Sequence, residues 1–248
     1  MGRAVHFLLR GYGGAMPGPH RVEAGSTAAQ VGDEALLLAA IAPTWIGADR
    51  AASARAAVAA GAQVLMMDDG LQNPSLYKDL SLLVVDGASG FGNGRVLPAG
   101  PLREPVSTAA ARCQAAVLIG PDQTGVTAAL PLPVLSARLQ PGPEIATWIG
   151  RRTVAFAGIA KPEKFFAMLA EAGVIVAAKL PFPDHHAFGP GDLHRVIAAA
   201  KHHDAVPLTT PKDAVRLPAA YHDRIGVVGV SLAWDDPAAL DALVAHYG

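Results

Sequence analysis

Residues Val64 to Asn73, VLMMDDGLQN, contain an apolar run that ends abruptly at two adjacent carboxylates and a glycine. A short apolar run bounded by turn residues indicates a buried parallel strand, and open α/β sheets bind ligands at the carboxyl ends of such strands. We therefore expect Asp68 and Asp69 at the mouth of a site. Adjacent carboxylates repel each other unless they share a cation, and Mg²⁺ with a nucleotide phosphate is the common solution. The alternative is that these acids simply end a strand and cap the next turn.

The composition of the 248 residues indicates a globular protein with a large core, because 51% of them are hydrophobic and 17% are charged. A formal net charge of -1 lacks the basic field of nucleic-acid-binding proteins and argues against an unspecific polyanion partner. The single cysteine, Cys113, cannot form an internal disulfide, which fits a reducing compartment. The sequence shows neither a signal peptide nor an apolar run of about 18 residues, so we expect a soluble intracellular protein.

The first half of the chain alternates strands with helices. Asp33 and Asp49 precede an apolar run and an alanine-rich run, where helix N-caps are expected. This alternation predicts a parallel sheet covered by helices on both faces. Besides the central strand, apolar runs predict strands at Ala4 to Leu9, Thr44 to Ile46, Leu80 to Val85 and Ala115 to Ile119.

The second half restarts the same rhythm, and Pro162 stands at the first position of a predicted helix. A segment rich in proline and glycine, from Pro121 to Pro143, separates the two halves and predicts a hinge near residues 140–150. We therefore divide the chain into a core, residues 1–145, and a second α/β lobe, residues 146–248. Further strands are predicted at Thr153 to Ala157, Val174 to Lys179 and Val206 to Leu208, and further helices at Pro190 to His202 and Pro237 to His246.

Polar motifs outside the central strand have two interpretations each when they are taken alone. Asp184 and His185 could be a general base with its orienting carboxylate, or a surface turn. Arg103 and Glu104 could bind phosphate and metal, or form a surface ion pair. They lie in FGNGRVLPAGPLREP, Phe91 to Pro105, whose prolines and length are typical of a functional loop.

The order of the motifs along the chain is far more specific than any one of them. RGYGG, VGDE, DDGLQN, FGNGRVLPAGPLREP, FAGIAKPEKFF, FPDHHAF and TTPKDAVRL together resemble the tetraacyldisaccharide 4'-kinase family, the lipid A kinases of Gram-negative bacteria. The resemblance implies a P-loop NTPase-like parallel sheet core with a second, smaller α/β lobe joined by a hinge. It also implies transfer of the γ-phosphoryl group of ATP, with Mg²⁺, to the 4'-hydroxyl of a tetraacylated glucosamine disaccharide 1-phosphate, which gives lipid IVA.

Carried over position by position, the resemblance implies a role for each matching residue. Asp33 and His185 correspond to a catalytic pair, and Arg103 lies near the transferred phosphate. Asp68 and Asp69 correspond to the Walker B acids that hold Mg²⁺, and Glu104 is a further ligand of the metal and nucleotide. The residues that correspond to substrate-binding positions are Arg10, Tyr12, Glu34, Gln72 and Asn93.

The chain departs from the family pattern at single positions and in one whole segment. Asn73 replaces the usual histidine, Leu9 the usual serine, and the motif at Pro211 to Asp213 lacks its glutamate. In the family, a first strand, a Walker A loop and a first helix precede RGYGG, and none of these is present in the 248 residues. Because that loop cradles the nucleotide phosphates, we expect the chain as given to be inactive, from a truncated gene or a misplaced start.

The resemblance also implies a location and a partner. We expect peripheral attachment to the cytoplasmic face of the inner membrane, an acylated disaccharide lipid as substrate, and no obligate protein partner. Two alternatives stay open. One is a non-catalytic remnant that binds acylated sugar, and the other is a metal-dependent phosphoesterase whose Mn²⁺ ligands would be Asp68, Asp69, Asp86, Asp184, His185 and His186.

Overall fold

The computed structural model describes residues 2–247, in which strands and helices alternate along most of the chain. None of the helices within these residues has the length and apolar composition that crossing a membrane requires. The strands are β1 (Val5–Leu9), β2 (His20–Arg21), β3 (Thr44–Ile46), β4 (Val64–Met67), β5 (Leu82–Asp86), β6 (Ala115–Ile119), β7 (Val134–Pro141), β8 (Arg152–Ala157), β9 (Ile175–Pro181), β10 (Val206–Thr209), β11 (Gly226–Val227) and β12 (Val230–Trp234). The α-helices are α1 (Ala28–Val31), α2 (Asp33–Ala39), α3 (Arg50–Ala59), α4 (Val106–Ala110), α5 (Val126–Ala129), α6 (Pro162–Glu171), α7 (Pro190–His202), α8 (Pro211–Ala214) and α9 (Pro237–Tyr247).

The described chain divides into two compact units that interleave along the sequence. The first unit contains residues 2–70 and 141–230, and the second contains residues 71–140 and 231–247. The first unit takes residues from both sides of the predicted boundary at residue 145. The division into domains, like the hinge near residues 140–150, stays a prediction.

The first unit contains a sheet with the strand order β2-β3-β1-β4. β1 lies between β3 and β4 and runs parallel to both, whereas β2 pairs antiparallel with β3. Because β1, β3 and β4 are parallel, the residues that follow them lie along one edge of the sheet. Apolar side chains of this sheet pack against α1 and α2 in a core formed by Phe7, Leu9, Val22, Val31, Ala35 and Ile46.

A second sheet in the same unit has the order β11-β10-β8-β9, and its strands are parallel. β8 is buried on both faces, and its side chains alternate between two cores, as the period of a strand requires. Ala155 and Ala157 pack with Phe166 of α6. Phe156 points the other way and packs with Leu193 of α7. The carboxyl ends of β8, β9 and β10 therefore form a second edge at which loops begin.

The second unit contains a sheet with the order β12-β7-β6-β5, in which β5, β6 and β7 run parallel. Val85, Leu118 and Val126 form its buried core. The predicted α/β class with parallel sheets is confirmed in both units. The sequence analysis misses β7 and β12, because prolines and glycines around β7 suggest a linker there.

Helix starts show where local sequence signals succeed and fail. The predicted N-cap of α3 is confirmed, because Asp49 Oδ1 accepts a hydrogen bond from the Ala52 amide at 2.9 Å. The predicted N-cap of α2 is wrong, because Gly32 occupies that position and Asp33 is the first helical residue. Gly32 has a φ of 89°, and a Cβ there would lie 2.5 Å from the carbonyl oxygen of Tyr12. The close backbone approach therefore requires glycine at residue 32.

Candidate active site

Charged residues follow three parallel strands at the carboxyl edge of the first sheet. Arg10 follows β1, Asp68 follows β4, and Arg50 lies shortly after β3. The edge is held by backbone hydrogen bonds, since the Asp68 amide donates to the carbonyl of Leu8 at 3.2 Å. Arg50 is buried and donates to the carbonyl of Gly47. A buried cation and an acid thus lie at the edge where a parallel sheet binds its ligands.

Asp68 and Asp69 have an unusual electrostatic and backbone environment. Asp69 has a φ of 51°, which is uncommon for a residue other than glycine. Although Asp68 lies at the surface, enough protein surrounds its carboxyl group that desolvation raises its pKa. The negative charges of Asp69 and Glu34 raise the pKa further, while Arg50 opposes the shift. The surplus of negative charge suits a bound cation.

A pocket of about 300 Å³ opens beside these carboxylates in the first unit. Residues of β1, α2 and β4 line it, and its two charged members are Glu34 and Asp68. The site therefore has an acidic rim on an apolar wall. The apolar lining consists of Phe7, Leu37, Leu38, Met66 and Met67.

The loop after β9 places His185 at the carboxyl edge of the second sheet. The amide of Phe182 donates to the carbonyl of Ala157 at 2.8 Å, and the amide of His185 donates to that of Gly158 at 3.1 Å. His185 has a φ of 56°, a left-handed conformation in which its backbone is held by this contact. Both Asp69 and His185, which the sequence analysis selects, therefore adopt uncommon backbone conformations of the kind found at functional sites.

The structure brings Asp33 and His185 into direct contact, although 152 positions separate them in sequence. His185 Nδ1 lies 3.1 Å from Asp33 Oδ2, and the Asp33 side chain is 5% exposed. Because an ionised carboxylate can only accept, this contact is a hydrogen bond when the imidazole carries a proton on Nδ1. The ring of Tyr12 lies edge-on to the imidazole at 6.2 Å between centroids. The pair has the geometry of a carboxylate oriented by a histidine.

Two further ion pairs connect α2 to the segment around α8. Lys212 Nζ lies 3.3 Å from Glu34 Oε1. Arg216 Nε lies 3.7 Å from Asp33 Oδ2, the same oxygen that His185 contacts. The buried Asp33 therefore has two partners, His185 and Arg216, and both lie near the carboxyl edge of the second sheet.

In the second unit, Glu104 lies at the centre of a small polar cluster. Gln72 Nε2 donates to Glu104 Oε1 at 2.8 Å, and Arg112 donates to the same oxygen. Arg112 also donates to the carbonyl of Leu71 at 3.0 Å. Gln72 and Arg112 together hold the Glu104 carboxylate in place.

Comparison with known proteins decides which family this chain represents. The family described as tetraacyldisaccharide-1-P 4'-kinase (LpxK) matches residues 1–247. The chain belongs to this family. It is 58% identical to the tetraacyldisaccharide 4'-kinase of Gluconacetobacter diazotrophicus over 246 residues, which cover 98% of this chain and 75% of that protein. It is 57% identical to that of Rhodospirillum centenum over 249 residues, with 98% and 74% covered.

The fold also resembles a solved LpxK structure. The crystal structure of the "apo" form of LpxK from Aquifex aeolicus in complex with ATP matches with a TM-score of 0.76 at 23% sequence identity. The match covers 99% of this chain and 79% of that chain. The predicted P-loop NTPase-like fold is therefore confirmed.

The site residues that the LpxK resemblance selects fall into both units. Asp33, His185, Glu34, Arg10, Tyr12, Asp68 and Asp69 lie in the first unit, and Gln72, Asn93, Arg103 and Glu104 lie in the second. Asn93 ties its own loop, because its Nδ2 donates to the carbonyl of Ala99 at 2.8 Å and its Oδ1 accepts from the Arg95 amide at 3.1 Å. Arg103 is exposed. The roles of these residues stay predictions.

Three arginines of this LpxK family member escape the sequence analysis, namely Arg50, Arg112 and Arg216. Arg50 opens α3, and a cation is unfavourable at a helix N-terminus unless it serves another contact, which is a usable signal. For Arg112 and Arg216 the informative contacts are those with Glu104 and Asp33, and these contacts form only when the chain folds.

The sequence analysis also predicts that carboxylates of the site hold Mg²⁺. Within residues 2–247, no three histidine, cysteine, aspartate or glutamate side chains are grouped so that they could hold a metal by themselves. Mg²⁺ in phosphoryl-transfer sites usually takes one or two carboxylates together with phosphate oxygens and water. Asp68 and Asp69, with their surplus negative charge, fit that smaller requirement.

Proposed function

We propose that this protein transfers the γ-phosphoryl group of ATP to the 4'-hydroxyl of a tetraacylated glucosamine disaccharide 1-phosphate, which gives lipid IVA. The observation that carries the proposal is the contact between Asp33 Oδ2 and His185 Nδ1 at 3.1 Å. It supplies a base for a hydroxyl group in a member of the tetraacyldisaccharide-1-P 4'-kinase family.

In the proposed mechanism, Asp33 accepts the proton of the attacking hydroxyl group. His185 donates to Asp33 Oδ2 and fixes its orientation, while Asp33 Oδ1 accepts the amide of Glu34 at 3.0 Å. Each carboxylate oxygen keeps a second lone pair for the incoming proton. Such positioning and charge neutralisation are what phosphoryl transfer mainly requires.

We further propose that ATP and Mg²⁺ are the cofactors of this reaction. Asp68 and Asp69 would hold the metal, Glu104 would contribute to the metal and nucleotide site, and Arg103 would contact the transferred phosphate. A bound Mg²⁺ supplies neutralisation of the phosphate charge. The raised pKa of Asp68, caused first by desolvation and then by Asp69, supports this assignment, because a nearby cation would relieve the repulsion.

The substrate determines where such an enzyme works. A disaccharide with four acyl chains resides in a bilayer, so the enzyme must reach it from the membrane surface. We propose peripheral attachment at the cytoplasmic face of the inner membrane of a Gram-negative bacterium. The proposed substrate-binding side chains are Arg10, Tyr12, Glu34, Gln72 and Asn93.

A phosphorylation assay tests the proposal. Tetraacyldisaccharide 1-phosphate in detergent micelles is incubated with MgATP and either the 248-residue chain or the product of any longer reading frame that contains it. In a form of the protein that turns over, we expect a lipid product that is heavier by one phosphoryl group, and we expect Asp33→Asn to abolish it. Hydrolysis of a simple phosphodiester without ATP would instead favour a phosphoesterase, and lipid binding without turnover in every form would favour a non-catalytic remnant.

A further inference from the structure

Arg216 is an almost fully buried cation that lies between α8 and the loop of His185. Its side chain is 7% exposed. Nη1 donates to the carbonyl of His186 at 3.1 Å, and Nη2 donates to that of Gly158 at 3.0 Å. Nη2 also donates to Asp213 Oδ1 at 2.9 Å, and Nε donates to the carbonyl of Lys212 at 3.0 Å. The guanidinium group is therefore fixed by four acceptors.

The same guanidinium group faces Asp33, which is a second carboxylate. Arg216 Nε lies 3.7 Å from Asp33 Oδ2, too far for a hydrogen bond but close enough for a charge interaction between two buried groups. His185 approaches this oxygen from the loop after β9, and Glu34 and Lys212 form the neighbouring ion pair. The positive charge of Arg216 therefore attracts the Asp33 carboxylate toward the position at which it contacts His185.

We propose that Arg216 is a positioning residue that aligns Asp33 with His185, an inference that rests on the proposed kinase function. One guanidinium group acts on both partners. It attracts the Asp33 carboxylate directly, and through the carbonyl of His186 it holds the backbone next to His185. Only arginine offers several donors in a rigid fork, so lysine cannot make the same set of contacts. Small displacements of reacting groups lower the rate by up to about 100-fold, so the alignment of Asp33 with His185 has a large effect on catalysis.

A purely structural role for Arg216 makes a different prediction. Arg216 also closes a buried network with Asp213 and Thr210, whose hydroxyl donates to Asp213 Oδ2 at 2.6 Å. If Arg216 only stabilised this network, then any variant that weakens the network would act in the same way. Thr210→Ala is the matched control, because it removes a hydroxyl that is hydrogen-bonded to Asp213 rather than to Asp33 or His185.

The first measurement is the tautomer of the His185 ring, read by long-range ¹H–¹⁵N NMR on the 248-residue chain at a pH where imidazoles are neutral. In the wild type, donation to Asp33 favours the proton on Nδ1. We expect Arg216→Gln to shift the ring toward the Nε2-protonated form, and Thr210→Ala to leave it unchanged. An unchanged tautomer in Arg216→Gln overturns the proposal, as does an equal shift in Thr210→Ala.

The second measurement is kcat in the lipid phosphorylation assay. We expect Arg216→Gln to lower kcat about 10- to 100-fold with little change in the KM for ATP, and Thr210→Ala to retain wild-type kcat. In the Asp33→Asn background, Arg216→Gln should cost little more, because there is no carboxylate left to align. Independent, multiplying losses would overturn the positioning role. If Asp33→Asn itself retains full kcat, the proposed function of the pair has failed, and the Arg216 proposal fails with it.

Discussion

Asp213 offers the strongest test of how the site's second edge is stabilised. Its side chain is fully buried, and its Oδ1 accepts hydrogen bonds from the Gly158 amide and from Arg216 Nη2, each at 2.9 Å. Its Oδ2 accepts from the hydroxyl of Thr210 at 2.6 Å. Asp213→Ala removes all three hydrogen bonds and leaves Arg216, whose side chain is 7% exposed, without the carboxylate to which it donates.

The expected cost follows from these contacts. Removing one partner of a buried ion pair costs about 3–5 kcal/mol, and this range already includes the donors that are left unsatisfied. Because a native domain is typically stable by about 5–15 kcal/mol, Asp213→Ala should remove a large part of the free energy of unfolding. Glu163→Gln is the matched control, because Glu163 and Lys179 form a pair at 3.8 Å whose side chains are 72% and 51% exposed. That variant should cost less than about 1 kcal/mol.

Urea unfolding followed by circular dichroism measures both variants. We expect the midpoint of Asp213→Ala to fall far below those of the wild type and of Glu163→Gln, without a large change in slope. A loss below about 1 kcal/mol for Asp213→Ala would show that water or a rearranged side chain replaces the carboxylate, and would refute the reasoning from burial.

Two further predictions concern stability. The pKa of Asp192 is held below its ordinary value first by the hydrogen bond from His186 and then by the Gly189 amide, so its ionised form stabilises the fold. That stability is present above the ordinary pKa of 3.8 and is lost as the pH falls through the lowered value. Asp192→Asn should therefore unfold more easily than the wild type at neutral pH, and the stabilities of the two should converge in acid. A stability difference that does not change with pH would contradict this. Gly32→Ala should lower the free energy of unfolding in urea more than Gly61→Ala does. Both glycines have a positive φ, but only at Gly32 would the added Cβ lie 2.5 Å from a carbonyl oxygen. Equal losses would contradict the steric argument.

Local signals predict the first half of the fold well, because they depend on neighbours in sequence. The apolar run before Asp68 becomes β4, and Asp49 caps α3 as its position before an alanine-rich run indicates. The same kind of reasoning misplaces the start of α2. It considers the side chain of Asp33, whereas the backbone of Tyr12 decides that Gly32 must occupy the cap. A contact between segments overrides the local preference.

The candidate site depends even more on contacts that spacing cannot show. Asp33 and His185 could be paired in advance only through the family resemblance, since 152 positions separate them. Arg216 stands within a motif that the resemblance covers, yet its role becomes visible only when Asp33 is found 3.7 Å away. Arg112 likewise becomes meaningful only through its contacts with Glu104 and the carbonyl of Leu71.

The central claim, that Asp33 and His185 act as one catalytic pair, is tested most directly by a double-mutant cycle on kcat. In the form of the protein that phosphorylates the disaccharide, Asp33→Asn and His185→Ala should each lower kcat by about two to four powers of ten. The double variant should be little slower than the worse single variant, and the KM for ATP should hardly change, because the two groups act on the same proton transfer. Losses that multiply, or a His185→Ala variant that changes only the KM for ATP, would contradict the account.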